Sequence, residues 1–251
     1  MIIILPTFEY TEGIKSFISI KNKSDKVFVS DASKDNKIYD LVKSDKKIKY
    51  IRNYTMGPIE NWNAALRNIT SEHILILHDD EYFGINDYNK LIKTKKNPKN
   101  IYMLNYEIFE NSKKKNIAFP QKIQKFLLNN IPKISLFMNI IGPTAAYIFY
   151  HDLKNPHYYD HKLKWLVDVE FFYRISRNKN LIFLPYKVRT NLKKKSLTNQ
   201  LYKSNFKIYF QEIWYLKKKY KIFLLTFIFY LTLSFIFRGI KTIINFFKYM
   251  R

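Results

Sequence analysis

The chain has 251 residues, of which 47% are hydrophobic and 18% aromatic, so it can fold around its own core and is too apolar to be disordered. It contains no cysteine, which excludes disulfide bonds and thiolate metal sites. Its formal net charge is +24, but only seven of its 44 basic residues are arginine, the usual reader of DNA bases. We therefore expect no nucleic-acid partner, which leaves an anionic membrane or an anionic substrate.

The first eighty residues alternate between short apolar runs and helical patterns. Strands are predicted at residues 2–5, 26–30, 49–52 and 74–77, with helices at 13–20, 38–43 and 59–69 between them. This alternation is typical of a parallel α/β sheet, in which ligands bind beyond the carboxyl ends of the strands. A polar residue follows each strand, which predicts a composite pocket lined by Thr7, Asp31, Asn53 and Asp79.

Three consecutive carboxylates, Asp79, Asp80 and Glu81, follow four branched apolar residues at Ile74–Leu77. Burying that much like charge is costly, so these side chains should lie at a strand end where water or a cation reaches them. Oxygen ligands suit magnesium and manganese, which predicts a divalent cation bound together with a phosphate-bearing ligand. The alternative is an acidic turn that caps the next helix.

The second half predicts a basic helix and loop at residues 86–99 and further strands at 101–106, 145–150 and 181–185. Residues 107–116 fit a charged hairpin or loop, 123–141 a pair of core helices or a flexible flap, and 189–200 a lid-like loop. Residues 165–175 predict a helix with one apolar face. Asp168 and Glu170 lie near its start, where they fit either catalysis or stabilisation by the helix dipole.

The composition changes from residue 206 onward. Residues 222–237 carry no charge, but this run is slightly shorter than a membrane span, and basic residues flank it on both sides. We expect a helix or helical hairpin lying on an anionic membrane surface, while a helix packed on the domain is the alternative. The N-terminus lacks the features of a signal peptide, so the chain is expected on the cytoplasmic side of the bacterial inner membrane, peripheral or monotopic through its C-terminus.

Four stretches together resemble the family 2 glycosyltransferases with the GT-A fold. They are Ile4–Phe8, Val29–Asp35, Asn53–Leu66 and Leu77–Glu81, and their order and spacing carry the resemblance, which covers about residues 1–200. It implies an α/β fold, namely a Rossmann-like mixed sheet with flanking helices over residues 1–205. A nucleotide-sugar-binding half (1–100) would precede an acceptor-binding half (101–205), and helices at 206–251 would associate with the membrane.

The resemblance also implies a metal-dependent inverting transfer of a sugar from a nucleotide-sugar donor, expected to be a UDP-sugar. The acceptor would be a growing, lipid-linked cell-surface polysaccharide or lipooligosaccharide. Asp79 and Glu81 would hold Mn²⁺ or Mg²⁺ on the diphosphate. Asp168 would deprotonate the acceptor hydroxyl, with Glu170 as the second candidate base. The implied donor-binding residues are Thr7, Glu9, Asp31, Asn53, Asn61 and Asp80.

Two features depart from the family pattern. Glu81 stands where the acidic motif usually ends in Asp, and no histidine follows His161, so the late-loop histidine is absent. Arg189, Lys193 or Lys194 would then stabilise the diphosphate. A nucleotidyltransferase shares this sheet and metal chemistry, but residues 6–10 lack its glycine-rich loop with a basic residue. A non-catalytic basic membrane or nucleic-acid binder would have no need of the aspartates at these strand ends.

Overall fold

The computed structural model describes residues 1–8, 11–22, 25–53, 57–110, 113–115, 120–192, 206–234 and 236. Within these ranges nine strands form one mixed sheet, and helices pack against both of its faces. The α/β architecture expected from the sequence is therefore confirmed.

The N-terminal half follows the predicted alternation of strands and helices. Its elements are β1 (Ile2–Thr7), α1 (Glu12–Ile20), β2 (Lys26–Asp31), α2 (Lys37–Val42), β3 (Ile48–Arg52), α3 (Pro58–Arg67) and β4 (Glu72–Ile76). The four strands are parallel and lie in the order β3-β2-β1-β4. Ile2 and Ile4 are buried with α3 on one face, and Ile3 and Leu5 are buried with α1 and α2 on the other. Burial on both faces explains why β1, β2 and β4 lack polar alternation.

The second half extends this sheet with strands of both directions. Its elements are β5 (Glu81–Phe83), α4 (Ile85–Lys93), β6 (Asn100–Glu110), β7 (Lys113–Lys115), α5 (Gln121–Asn130), β8 (Tyr147–His151), α6 (Val167–Ser176), β9 (Asn180–Leu192) and α7 (Phe206–Lys219). The sheet continues from β4 in the order β8-β6-β9-β5, and β7 pairs with β6 as a hairpin. β8 is antiparallel to both neighbours, whereas β6 and β9 are parallel.

β9 is much longer than the sequence indicates. The predicted strand ends at Pro185, and the lid-like loop predicted from residue 189 was wrong for residues 189–192, which belong to the strand; residues 193–200 lie outside the described ranges. The pairing with β6 shifts between Leu104 and Asn105, whose partners are Leu184 and Lys187. Pro185 lies in this irregularity, where the strand does not require its missing N–H.

The apolar stretch 123–141 belongs to the core and is not a flap. α5 buries Leu127 and Leu128, and the 3₁₀ turn Pro132–Leu136 and the residues after it bury Ile134 and Phe137 beneath the sheet. A 3₁₀ turn at Thr144–Ala146 then leads into β8. The core interpretation of this stretch is therefore confirmed.

The C-terminal segment packs on the same core cluster. α7 buries Tyr209, Ile213 and Leu216 along one stripe, and the Tyr209 hydroxyl donates to the carbonyl of Phe137 at 2.6 Å. Residues 224–234 are helical; Phe227 is buried against the body, while Leu225 is 82% exposed. In the part of the chain that the structure describes, no helix is both long enough and apolar enough to cross a membrane.

Candidate active site

The carboxyl ends of β1, β2 and β3 meet at one edge of the sheet, as the sequence predicts. Thr7 is the register partner of Asp31, and Asp31 is the partner of Arg52. The Asp31 side chain is fully buried: it accepts hydrogen bonds from the backbone N–H of Ser33 at 2.8 Å and from the Tyr50 hydroxyl at 2.7 Å. Asp31 therefore stabilises the strand ends from inside the protein, and burial together with this hydrogen bond raises the pKa of Tyr50.

Asn61 connects these strand ends to one another. Its side-chain oxygen accepts from the Ser30 hydroxyl and from the Asn53 amide, each at 2.8 Å. Its amide donates to the carbonyl of Ser30 at 2.9 Å and to that of Thr7 at 3.4 Å. Asn61 and Asn53 thus connect β1, β2 and the end of β3. The remaining predicted donor residue, Glu9, lies outside the described residues.

The three acidic residues after β4 do not form one cluster. Asp79 and Asp80 lie in the turn and keep partial exposure, whereas Glu81 begins β5 and is 3% exposed. The Glu81 carboxylate accepts from the backbone N–H groups of His78 at 2.7 Å and Ala145 at 3.4 Å. Burial raises the pKa of Glu81 to about 7. The buried Glu81 side chain therefore stabilises the acidic turn through its hydrogen bond to the backbone of His78.

The backbone of Asp79 packs closely against Gly13 in the first turn of α1. A Cβ atom added to Gly13 would lie only 2.1 Å from the carbonyl oxygen of Asp79, so no larger residue fits there without movement of the backbone. On the other side, the carbonyl of Asp80 accepts from the backbone N–H of Asn191 at 2.8 Å. The acidic turn is thus fixed between α1 and the end of β9.

These residues fit a divalent cation only in part. Among the residues that the structure describes, no group of three or more acidic or histidine side chains is placed to hold a metal ion. A magnesium or manganese ion on a diphosphate needs only one or two carboxylates, because phosphate oxygens and water complete its shell. The partly exposed Asp79 and Asp80 suit that arrangement. Glu81 suits it less, because its carboxylate is buried and already accepts from two backbone N–H groups.

A second group of polar side chains surrounds Asp168, the second residue of α6. Oδ1 of Asp168 is buried and, among the described residues, has no hydrogen-bond partner. Burial raises the pKa of Asp168 even though His78 and Thr144 act in the opposite direction, which makes its carboxylate a better proton acceptor. Four further buried polar atoms near it also make no close hydrogen bond in the described part of the chain: His78 Nε2, Thr144 Oγ1, Tyr147 Oη and Tyr159 Oη. Thr144 interacts only weakly with Asp168, and the two tyrosine hydroxyls interact only weakly with each other.

An aromatic wall closes one side of this group. The Trp62 ring stacks on His78 with ring centroids 4.9 Å apart and meets Tyr159 edge-on at 5.1 Å. Burial alone would lower the pKa of His78, but nearby carboxylates outweigh burial and raise it. Those carboxylates belong to Glu81, Asp168, Asp80 and Asp79. The imidazole therefore links the acidic turn electrostatically to the start of α6.

Glu170 has a different environment from Asp168. Its fully buried carboxylate accepts from Arg174 Nε at 3.1 Å, from Lys219 Nζ at 2.7 Å and from the Tyr220 hydroxyl at 2.6 Å. Burial alone would raise the pKa of Glu170, but Arg174 and Lys219 outweigh it and lower the pKa. Two residues apart on a helix, the two acids point in different directions. Glu170 anchors α6 to α7, which leaves Asp168 as the acid with an available oxygen.

Sequence reasoning did not single out the residues around Asp168. Trp62 lies inside the asparagine-rich motif and His78 inside the acidic motif, so both had a sequence signal that was not used. Tyr147 and Tyr159 had none, because aromatic residues are frequent throughout this chain. Arg189 contacts the Glu107 carboxylate at 3.3 Å, and the alternative diphosphate ligands Lys193 and Lys194 lie outside the described residues.

A parallel sheet with polar residues at its carboxyl edge, extended by a mixed sheet beyond an acidic turn, is the GT-A architecture. The model of the family "Glycosyl transferase family 2" matches residues 2–152, and the chain belongs to that family. No curated protein sequence matches the chain.

Solved structures share the fold at low sequence identity. Residues 1–349 of S. aureus TarS in complex with UDP-GlcNAc match with a TM-score of 0.59 and 17% identity, covering 84% of this chain and 64% of that one. The mannosyltransferase PcManGT from Pyrobaculum calidifontis, in complex with GDP-Man and Mn²⁺, matches with a TM-score of 0.55 and 14% identity, covering 78% and 58%. The chain thus spans less than two thirds of the length of either protein.

Proposed function

We propose that the protein is an inverting glycosyltransferase in which Asp168 is the catalytic base. The observation that carries this proposal is the group of five buried polar atoms around Asp168 that make no close hydrogen bond among the described residues. Buried polar groups are normally hydrogen-bonded, and leaving one unpaired costs about 1–3 kcal/mol. The weak contacts of Thr144 with Asp168 and of Tyr147 with Tyr159 satisfy these groups only in part, which favours a polyhydroxylated ligand that completes the site.

The proposed chemistry follows from this placement. Asp168 accepts the proton of the acceptor hydroxyl while the hydroxyl oxygen forms a bond to the anomeric carbon of the donor sugar. The bond from that carbon to the diphosphate breaks on the opposite face, so the configuration inverts. Tyr147, Tyr159 and Thr144 provide hydroxyl groups that orient the acceptor, and the Trp62 ring offers an apolar surface for a sugar face. Positioning of this kind supplies a large part of the rate enhancement in bimolecular transfers.

The donor is proposed to be a nucleotide sugar, with a UDP-sugar as the first candidate. Supporting observations are the polar residues gathered at the carboxyl ends of β1 to β3 and the complexes of structurally similar proteins with UDP-GlcNAc and GDP-Man. Asp79, assisted by Asp80, is proposed to hold Mn²⁺ or Mg²⁺ against the diphosphate. Bound there, the cation neutralises charge on the leaving diphosphate.

The test compares Asp168→Asn with the wild type in two assays. Thermal-shift screening of UDP- and GDP-sugars with and without Mn²⁺ identifies the donor, because a bound ligand raises the melting temperature. Release of the nucleotide diphosphate from that donor then measures turnover. We expect Asp168→Asn to retain the melting shift and to lose turnover by about 10³-fold or more, since general base catalysis alone contributes about 10²–10⁴-fold. Unchanged turnover would refute the assignment of Asp168.

We also propose that the protein works on a lipid-linked glycan at the cytoplasmic face of the inner membrane. Phe223 and Leu225 are more than 80% exposed, and the exposed Lys218 and Lys221 lie close to them in sequence. Apolar side chains flanked by lysines favour an anionic lipid surface. Co-sedimentation with phosphatidylglycerol vesicles but not with phosphatidylcholine vesicles is expected, and Phe223→Glu/Leu225→Glu should abolish it. Equal binding of wild type and double variant would contradict this location.

A further inference from the structure

A carboxylate on α7 accepts hydrogen bonds from the backbone N–H groups of the turn that precedes α6. Glu212 is 5% exposed and accepts hydrogen bonds from three consecutive N–H groups. The donors are Lys164 at 2.6 Å, Trp165 at 3.0 and 3.1 Å to the two oxygens, and Leu166 at 2.8 Å. Successive backbone N–H groups that converge on one point form a concave site for an anion. Here a side chain of the same protein fills that site.

The position of this turn determines where Asp168 lies. α6 begins at Val167, directly after Leu166, and Asp168 follows one residue later. Leu166 provides no side-chain hydrogen bond to the start of the helix. Since Leu166 is itself 3% exposed, its N–H would be left unpaired inside the protein if Glu212 were removed. The turn would then have to rearrange, and Asp168 would move with it.

α7 is also fastened one to two turns after this contact. Lys219 Nζ contacts the carboxylates of Asp160 and Glu170, each at 2.7 Å, and the Tyr215 hydroxyl donates to Asp160 at 2.7 Å. These bonds hold α7 against α6 without touching the backbone N–H groups of residues 164–166. The chain therefore offers a matched control that loosens α7 but leaves the turn bonded.

We propose that Glu212 is a positioning residue for sugar transfer, which fixes Asp168 through the turn at residues 164–166. This inference rests on the proposed function, because Asp168 is the base there. Both α6 and α7 lie beyond residues 2–152, the part of the chain that the family model matches. Glu212 does not contact the strand ends of the donor pocket, so its effect should be confined to turnover.

The experiment compares Glu212→Ala and Glu212→Gln with Tyr215→Phe as the control. Hydrogen exchange at residues 164–166 and the ¹³C carboxyl resonance of Asp168, assigned with Asp168→Asn, report the turn and the base without any substrate. Turnover of the donor found in the thermal-shift screen is divided by the number of UDP-binding sites, so that loss of folded protein is not counted. The KM for that donor is measured in the same assay.

For Glu212→Ala we expect amide exchange at the turn to be about tenfold faster, a shifted Asp168 resonance, and turnover per site reduced about tenfold or more. The KM of the donor should stay within about twofold. Glu212→Gln should lie between wild type and Glu212→Ala, because its carbonyl oxygen still accepts while its NH₂ group opposes the N–H donors. Tyr215→Phe should resemble the wild type in all four measurements.

Wild-type turnover per site in Glu212→Ala would overturn the inference, as would equal losses in Glu212→Ala and Tyr215→Phe. A wild-type protein that turns over no nucleotide sugar would refute the proposed function separately. In that case hydrogen exchange and the Asp168 resonance still test whether Glu212 positions Asp168. An unchanged Asp168 resonance in Glu212→Ala would refute that role.

Discussion

The tight contact between α1 and the acidic turn predicts that Gly13→Ala destabilises the protein, although helix propensity alone would predict stabilisation. Gly13 is the second residue of α1, and Gly→Ala inside a helix normally stabilises by about 1 kcal/mol. In this protein the added Cβ would lie 2.1 Å from the Asp79 carbonyl oxygen, whereas a carbon–oxygen contact is normally about 3.3 Å or more. Both groups belong to the backbone, so α1 and the turn must separate by about 1 Å.

Overpacking of this kind costs about 3 kcal/mol at the upper end of its usual range. After the gain in propensity is subtracted, Gly13→Ala should lose about 2 kcal/mol of unfolding free energy. For a domain of this size that corresponds to about 4–8 °C in melting temperature. Because Asp79 is displaced, the stabilisation by UDP with Mn²⁺ should also decrease relative to the wild type. Calorimetry with and without the ligand measures both effects.

The matched control is Gly57→Ala at the N-cap of α3. Gly57 has φ −64°, and a Cβ added there would have no heavy atom within 4 Å. Its melting temperature should therefore change by only about 2 °C or less and its ligand response should be retained. A Gly13→Ala variant as stable as the wild type, or more stable, would show that the contact with Asp79 is not tight and would refute the reasoning.

Three further predictions concern single side chains. Tyr147→Phe removes a buried hydroxyl that makes no close hydrogen bond among the described residues and interacts only weakly with Tyr159, so unfolding in urea should show nearly unchanged stability while turnover decreases; a large loss of stability would contradict this. Asn61→Ala should lower the unfolding free energy by about 3 kcal/mol, because it breaks three hydrogen bonds of 2.8–2.9 Å; a loss below about 1 kcal/mol would show that water replaces the amide. Asp160→Asn tests pH dependence: burial alone would raise the pKa of Asp160, but Lys219 and Tyr215 outweigh it and lower the pKa to about 2. Because the folded-state pKa is depressed, the carboxylate contributes stability above about pH 4, and this contribution disappears as the pH falls toward 2. The stability difference between wild type and Asp160→Asn should accordingly be constant from pH 7 to 5 and shrink below pH 4, and a difference independent of pH would contradict the ion pair.

The sequence determines the first half of the fold more completely than the second. Runs such as Ile2–Leu5 and Ile74–Leu77 are buried on both faces, and adjacent parallel strands joined by helices leave few alternative arrangements. β9 could not be delimited in this way, because its partner β6 lies about eighty residues away and Pro185 interrupts the local pattern. Pairing with that distant strand, and not local propensity, makes residues 189–192 extended.

In the candidate site too, some placements follow from the local sequence and others depend on residues far away in the chain. The alignment of Thr7 with Asp31 follows from parallel strands of similar length. The orientation of the Glu81 side chain does not follow from local sequence, because it depends on the backbone of Ala145, which is 64 residues away. Likewise, the sequence does not distinguish Asp168 from Glu170, since both are acids near the start of the same helix. They differ because Glu170 pairs with Arg174 and with Lys219 of α7.

The docking of α7 has a consequence for the order in which the protein matures during synthesis. β1 to β4 are complete by residue 76, and the pairing among these four strands connects only residues that have already been translated, although β4 later pairs with β8 as well. The backbone of residues 164–166, in contrast, has to wait for Glu212, which the ribosome adds 46 residues after Leu166. Domains generally begin to fold from their N-terminal part during translation. A nascent chain can thus pair β1 to β4 well before Glu212 is available to fix the turn that precedes α6.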